Sequence, residues 1–299
     1  MKMQKNLFCF LIAVLFGQVQ SATVFGQLAG ENSPKDYTSE ALQNQFLIEA
    51  ESYDIESTTK RKMELKKEPL LNWQNPERPA TLGSLFVWFD GTRPAVFASV
   101  FTFQNNQLLF RKHELISLFP DELDAKLEGD TVWNPKPADL KGLNITIAIA
   151  PHATEAGRLT QMRSITREML GKHYPREGGA AQELRLMSQP LCRYRSEKDR
   201  ILDGAIFALA VGTDPEILLM VEARQTDGGT QWKVVPFRSH FDALELQYKG
   251  EIVWQAPLTL PLMSTGPMEL PFARDPFFVF YPTKPLPSAG ELNKLLEKK

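Results

Sequence analysis

The sequence predicts an α+β fold of two tandem, pseudo-symmetric units, in which each unit is a helix followed by a curved antiparallel sheet. Three observations lead to this prediction. Similar residues recur along the chain at a spacing of 121 positions. A helix-compatible segment precedes each copy, and the remainder of each copy consists of apolar, β-rich runs separated by short turns.

The repeat is clearest in two stretches that align without a gap. GSLFVWFDGTRPAVFASV begins at Gly83, and GAIFALAVGTDPEILLMV begins at Gly204. Between 65 and 133, 16 of 69 positions are identical to the residue 121 positions later, where unrelated segments would share roughly 4. This excess indicates an internal duplication. The repeated residues to which we assign a structural role are Gly83, Gly91, Thr92, Pro94 and Trp133, and their counterparts are Gly204, Gly212, Thr213, Pro215 and Trp254.

The first element along the chain is an N-terminal targeting segment. Lys2 and Lys5 precede an apolar run of eleven residues, 7–17, which is shorter than the roughly 20 residues that a membrane-spanning helix needs. Small residues around Ser21 suit cleavage before Ala22. The sequence therefore predicts a signal peptide over 1–21 and a linker over 22–36, and Cys192 is then the single thiol of the mature chain.

The first unit spans 37–136 and the second spans 137–256. Helices are predicted over Ser39–Asp54 and Thr154–Tyr174 from their apolar spacing and from the Gly and Pro that follow the second one. In the first unit, Asp90-Gly91 between two β-rich runs predicts a hairpin. Strands on both sides of the turns complete each unit.

The stretch GTDPEILLMV at Gly212 admits two interpretations. Asp214 as N-cap, Pro215 at the first helical position and Glu216 after it are typical of a helix N-terminus. In contrast, a glycine turn followed by an apolar run predicts a buried strand. The repeat partner GTRPAVFASV lies in the hairpin pattern, so we predict a strand over 216–224.

The C-terminal extension, 257–299, is rich in proline and departs from the repeat. The segment PFFVFYP predicts an edge strand, and a short charged helix is expected from Ala289. The central runs of both units are apolar on both faces, so we expect the two halves to pack together. By analogy, a helix wrapped by a curved sheet resembles the cystatin-like and NTF2-like folds, which host many unrelated functions.

Composition and motifs exclude several classes of function. The formal charge of −2 and the absence of a basic segment argue against nucleic-acid binding. The chain has no Gly-rich phosphate loop, no HExxH and no CxxC, and no two of its four histidines stand at metal-ligand spacing. We therefore predict no metal, no cofactor and no membrane span after signal cleavage.

The candidate catalytic residues are Arg111, His113 and Glu114. The second unit carries plain valines, Val234 and Val235, at the positions that correspond to His113 and Glu114. Such divergence is one way in which half of a duplicated protein acquires a site. Neighbours on a strand point to opposite faces, so His113 and Glu114 cannot act as a pair, and an ordinary structural role is the alternative.

The candidate binding residues are His152, Arg163 and Arg167. His152 precedes the second predicted helix, where a helix N-terminus could help to bind an anion. The arginines make this helix basic, which fits an acidic ligand or simply a solvated face. Five tryptophans also suggest carbohydrate binding, although the repeated pair Trp133 and Trp254 favours a structural role.

Several motifs occur in an order that resembles a family of uncharacterised exported proteins of planctomycete bacteria. They are PLLNW, GSLFVWFDGTRPAVFASVF and HELISL, followed by LRLMSQPLCRY, DGAIFALAVGTDPEILLMVEAR and YKGEIVW. The resemblance covers about 65–256. It implies export from a bacterial cell, and it implies neither an activity nor any catalytic residue.

These observations lead to one functional expectation and one alternative. We expect an exported, periplasmic or extracellular protein that serves as a non-catalytic binding or scaffold module of the cell envelope, with an envelope protein or a small ligand as its partner. The alternative is a hydrolase with a cleft between the two repeats.

Overall fold

The computed structural model describes residues 36–75, 81–105, 108–176, 178–259, 274–282 and 284–298. The predicted signal peptide, 1–21, and the linker up to residue 35 lie outside these ranges. Within them, no helix is both long enough and apolar enough to cross a membrane.

The described residues are mostly β, with 52% in strands and 15% in helices. The first half contains α1 (Ser39–Glu51), β1 (Tyr53–Ser57), β2 (Glu64–Gln74), β3 (Leu82–Asp90), β4 (Arg93–Asn105), β5 (Leu108–Ser117), β6 (Leu123–Leu127) and β7 (Asp130–Trp133). The second half contains α2 (Glu155–Arg167), β8 (Met169–Tyr174), β9 (Gln182–Leu186), β10 (Cys192–Ser196), β11 (Ile201–Val211), β12 (Asp214–Thr226), β13 (Gly229–Arg238), β14 (Ala243–Tyr248) and β15 (Glu251–Ala256). The C-terminal extension contributes β16 (Phe277–Phe280) and α3 (Ala289–Leu296).

The described strands form three antiparallel sheets. The first is three-stranded, with the order β1-β6-β7, and the second is five-stranded, with the order β16-β5-β4-β3-β2. The third has eight strands in the order β13-β12-β11-β9-β8-β14-β15, and β10 also pairs with β11. Because only residues 239–242 join β13 to β14, which are far apart in the sheet order, this sheet must curl until its ends approach each other.

The predicted fold class is therefore wrong. The protein is a largely β structure rather than two α+β units of one helix and one sheet each. The first half divides its strands between two sheets, whereas the second half places eight strands in one. The difference comes from pairing between distant strands: β16 takes the free edge of β5, and β9 bridges β11 to β8.

The second helix is also shorter than predicted. It ends at Arg167, and Met169–Tyr174 forms β8 instead. An added Cβ at Gly171 would lie 2.9 Å from Leu209 Cδ1, so the glycine allows this strand to approach its neighbours closely. The two helices begin 116 residues apart, at Ser39 and Glu155, so the spacing of 121 does not extend to them.

The core consists of one cluster between the two large sheets and one cluster on the outer face of each sheet. Side chains of the five-stranded sheet, including Leu85, Phe97 and Ile116, pack against Leu218 and Met220 of the eight-stranded sheet. On the outer faces, α1 contributes Leu42 and Phe46 to one cluster, and α2 contributes Met162 and Ile165 to another. Both faces of the central strands are thus covered.

The stretch GTDPEILLMV is a strand, as predicted, since β12 runs from Asp214 to Thr226. Its start contains a β-bulge: Leu209 pairs with Ile217 and Ala210 with Pro215, which leaves Glu216 as the extra residue. The first half has a bulge at the corresponding position, Ala95. The bounds of β12 and β13 each lie 121 residues after those of β4 and β5. The edge strand and the C-terminal helix predicted in the extension are also confirmed, as β16 and α3.

The repeated glycines have structural roles. Gly91 and Gly212 occupy hairpin turns with φ of 63° and 60°, a region that glycine adopts without strain. Gly83 and Gly204 let an aromatic ring pack directly on the backbone. An added Cβ would lie 2.4 Å from the ring of Trp73 at Gly83 and 2.6 Å from that of Tyr194 at Gly204.

We predict that Gly83→Ala lowers the free energy of unfolding by about 1–3 kcal/mol, because the buried Trp73 ring must move to admit the methyl group. Gly290→Ala in α3 is the control: nothing lies within 4 Å of its added Cβ, and alanine favours helix by up to about 1 kcal/mol. Guanidinium denaturation measures both variants. Equal stability of Gly83→Ala and the wild type would contradict the close packing.

Candidate functional site

A cavity of about 330 Å³ opens at the seam between the two halves. Its apolar wall includes Ile116 and Phe277 from one sheet and Phe237 and Trp254 from the other. Its polar groups come from Ser117, Asp139, Asn144, Arg238 and Asp275. A pocket lined by apolar side chains with a few polar groups is the usual form of a small-ligand site.

Arg238 lines this cavity, but its guanidinium is fully engaged within the protein. Nε donates to the His240 carbonyl, and Nη2 donates to the carbonyls of Phe241 and Asp242, at 2.8–2.9 Å. Nη1 donates to the Pro257 carbonyl and to Thr259 Oγ1. Arg238 therefore clamps the loop that joins β13 to β14 and has no donor left for a ligand.

The candidate His113 is buried against α1 rather than directed into the cavity. The Tyr53 hydroxyl oxygen lies 2.7 Å from its Nδ1, and its Nε2 lies 2.6 Å from Glu49 Oε2. Arg111 reaches the same carboxylate, with Nε 3.0 Å from Glu49 Oε1. The structure thus joins two of the three predicted catalytic residues, but in a network that fastens β5 to α1.

This network sets the protonation state of Glu49. Burial alone would raise the pKa of Glu49, but the hydrogen bond from His113 and the charges of His113 and Arg111 outweigh it. The pKa of Glu49 is therefore lowered, and the carboxylate stays ionised. Burial and the nearby carboxylate raise the pKa of Tyr53 well above its usual value, so Tyr53 keeps its proton.

Glu114 lies on the other face of β5, as strand alternation predicts. Its Oε1 is 2.6 Å from Lys112 Nζ, and both side chains are buried. Lys112 Nζ also lies 4.0 Å from the centre of the Phe241 ring. Glu114 and His113 therefore belong to separate networks, and neither lines the cavity.

The three candidate binding residues do not converge on one site. His152 is exposed before α2, where its Nδ1 accepts the N–H of the capping residue Thr154 at 3.0 Å. Arg163 donates to Gln189 Oε1, and Arg167 is exposed in the last turn of the helix. Their contacts support a helix cap and a solvated face.

The tryptophans and the cysteine are also largely structural. Trp73, Trp88 and Trp133 are fully buried, and only Trp254 of the repeated pair lines the cavity. The half-buried Cys192 has its pKa raised by burial to about 12. Because the thiolate is the reactive form, this thiol is inert near neutral pH.

Four other side chains meet where the curled sheet closes, and we refer to them as the histidine–carboxylate cluster. They are His173 of β8, Glu216 at the bulge of β12, and His240 and Asp242 of the loop between β13 and β14. All four are buried, with relative exposures between 0% and 5%. One ligand atom each from His173, Glu216 and His240 lies within 4.8 Å of the others.

Sequence reasoning missed this cluster because its members are far apart along the chain. His173 and Asp242 are separated by 69 residues, so no local spacing reveals them. One signal was present in the alignment of the halves: Glu216 and His240 stand where the first half has Ala95 and Phe119. Polar residues in place of buried apolar ones mark positions at which the second half has changed its chemistry.

We predict that Glu49→Gln lowers the free energy of unfolding by about 1–3 kcal/mol at pH 7, because it removes a buried, charge-assisted hydrogen bond. A lowered folded-state pKa stabilises above the unfolded-state value of 4.5. That contribution is lost as the pH falls through the folded-state pKa. The difference between the variant and the wild type should therefore shrink below about pH 4.

Denaturation at pH 7 and at about pH 3 measures this difference. Glu68→Gln is the control, because that carboxylate is 82% exposed beside Lys66 and should change stability little. A gap between Glu49→Gln and the wild type that is independent of pH would contradict the ionised state of Glu49.

Comparison of the chain with protein-family models, curated proteins and solved structures gives no match.

Proposed function

We propose that this protein is an exported, non-catalytic binding module of the cell envelope that takes a small ligand in the seam cavity. The cavity is the observation that carries the proposal. Its volume of about 330 Å³ falls at the lower end of the range for small-ligand sites. Strands of both large sheets form part of its wall, and the loop segments 138–144 and 275–276 form the rest.

The chemistry of the lining indicates which ligand would fit. The donors of Arg238 are occupied, so the charged groups that can still hydrogen-bond a ligand at the cavity are the exposed carboxylates of Asp139 and Asp275. Each also accepts one backbone N–H, from Lys141 and Phe277 respectively. Carboxylates beside the Trp254 ring suit a ligand with hydrogen-bond donors and an apolar face, which is the chemistry of a saccharide unit.

A binding role also agrees with the placement of the titratable candidates. Among the described residues, the cavity lining includes no histidine and no cysteine. Arg111 and His113 face α1, and Glu114 pairs with Lys112. The hydrolase alternative relied on these three residues, and none of them lines the cavity, so we prefer binding.

Export is supported by the N-terminal sequence alone. The positive residues, the apolar run of eleven and the small residues before Ala22 have the order of a signal peptide. We predict that the mature protein, purified from the medium or from the periplasm of an expressing bacterium, begins at Ala22. Intact-mass measurement checks this, and an uncleaved N-terminus on membrane-bound protein would contradict it.

We predict that a monosaccharide or short oligosaccharide binds in the cavity, and that Trp254→Ala weakens this binding at least about 10-fold, equivalent to about 1.4 kcal/mol. Asp275→Asn should weaken it less, because the amide retains one acceptor. Ile252→Ala is the control, since that side chain is 55% exposed on the same strand and lies outside the lining. Calorimetric titration with a saccharide panel measures the affinities.

Three results would overturn the proposal. They are the absence of saccharide binding at millimolar concentration, equal loss of affinity in Ile252→Ala and Trp254→Ala, and turnover of a bound saccharide by the wild type. The last result would favour the hydrolase instead.

A further inference from the structure

We propose that the histidine–carboxylate cluster is a site for one divalent transition-metal ion of the Zn²⁺ type, with His173, Glu216, His240 and Asp242 as ligands. This proposal is independent of the cavity and its ligand. It rests on the identity of the four side chains, the distances between them and their burial in one place.

The distances are close to those that one ion requires. His240 Nδ1 lies 3.5 Å from Glu216 Oε2 and 3.7 Å from Asp242 Oδ2. Metal–ligand bonds of 2.0–2.2 Å place neighbouring ligand atoms of a tetrahedral site about 3.4 Å apart. Small rotations of these side chains would therefore bring their atoms around a common centre.

His173 completes the set with a defined orientation. Its Nδ1 lies 3.2 Å from Gln182 Oε1, to which it can donate, and its Nε2 lies 2.8 Å from Asp242 Oδ2. A hydrogen bond from the second ring nitrogen to a neighbouring acceptor is the usual support for a metal-bound histidine. Nε2 is then the ligand atom, and metal binding replaces its present contact with Asp242 Oδ2.

The electrostatics of the cluster also favour a cation. Glu216 and Asp242 carry two carboxylates into a region where each residue is at most 4% exposed. Buried charge is costly unless it is paired. Asp242 Oδ1 has no hydrogen-bond partner among the described residues. A divalent ion would compensate the Asp242 carboxylate and could also bind Glu216, and neutral imidazoles would complete its coordination.

The backbone that carries the ligands is already held in place. Arg238 donates to the carbonyls of His240, Phe241 and Asp242 and thereby fixes the loop. The bulge sets Glu216 apart from the regular pairing of β11 and β12, and bulges commonly redirect a side chain at functional sites. The amide N–H of Asp242 points at His240 Nδ1 at 3.1 Å, so metal binding at this atom replaces one hydrogen bond.

The donor set selects the class of metal. Two imidazoles and two carboxylates suit Zn²⁺ and its first-row neighbours, whereas Ca²⁺ and Mg²⁺ prefer oxygen ligands alone. Four protein ligands in a buried position make a closed site, which is the arrangement of structural rather than catalytic zinc. Its place in the fold agrees, because the ligands come from β8, β12 and the loop that closes the curled sheet.

The alternative is a buried ion-pair network without a metal. The first half of the chain provides the comparison, because Ala95 and Phe119 stand there in place of Glu216 and His240 and both are buried. The first half therefore forms the same type of bulge with apolar residues at these positions. Glu216→Ala and His240→Phe therefore introduce residue types that the chain already accommodates at the corresponding positions.

The test is calorimetric titration of the untagged full chain with Zn²⁺ after treatment with a chelator. The expected result is one equivalent bound with a dissociation constant below about 1 µM, and no comparable binding of Mg²⁺ or Ca²⁺. Glu216→Ala and His240→Phe should each weaken the binding at least about 100-fold. His152→Ala, which removes the exposed histidine at the start of α2, should bind as the wild type does.

A second measurement keeps the proposal testable if the variants fail to fold. Co²⁺ added to the wild type should produce saturable visible absorption at one equivalent, and Zn²⁺ should abolish it. Zn²⁺ binding weaker than about 1 µM, equal loss of affinity in His152→Ala, or a Co²⁺ spectrum like that of the free aqueous ion would each overturn the proposal.

Discussion

The structure depends on the need to bury strands that are apolar on both faces. β3 and β4 of the first half, like β11 and β12 of the second, are almost continuously buried. No single layer can cover both faces of such a strand. Hence the two large sheets pack on each other, and α1 and α2 cover their outer faces. The strands, not the helices, hold most of the core.

Two buried carboxylates of this core show how charged side chains are held there by neighbouring donors. Glu222 is fully buried on β12, where the Tyr194 hydroxyl and Arg224 Nη1 each donate to it at 2.8 Å. Glu49 is held in a similar way by His113 and Arg111. A buried polar group without such partners would cost several kcal/mol. The histidine–carboxylate cluster stands out against this pattern, because it concentrates two carboxylates and two imidazoles at one closure point.

One side chain, Arg238, contacts both the cavity and the histidine–carboxylate cluster. Arg238 belongs to both regions, since it lines the cavity and also clamps the loop that bears His240 and Asp242. Of the candidate residues that looked most reactive in the sequence, His113 instead fastens β5 to α1, and Glu114 pairs with Lys112 of the same strand.

The site was harder to predict than the strands for a physical reason. His113 was singled out because it is polar in a β-rich run, but polarity on a strand does not distinguish a buried network from a reactive group. The partners Tyr53 and Glu49 lie about 60 residues earlier in the chain, so no local pattern links them to His113. Glu216 was noticed only as a strand residue near a turn, because its neighbours in space come from three other segments.

The sequence by itself determined the local hairpins of this protein. Hairpins such as β3–β4 and β11–β12 join adjacent segments through turns that contain Gly91 and Gly212, so nearby residues suffice to specify them. Only the tertiary structure decided which strands share a sheet, that β16 completes the edge of β5, and that His173, Glu216 and His240 meet. Those outcomes depend on pairing and burial between distant segments, which the periodicity of a single segment does not encode.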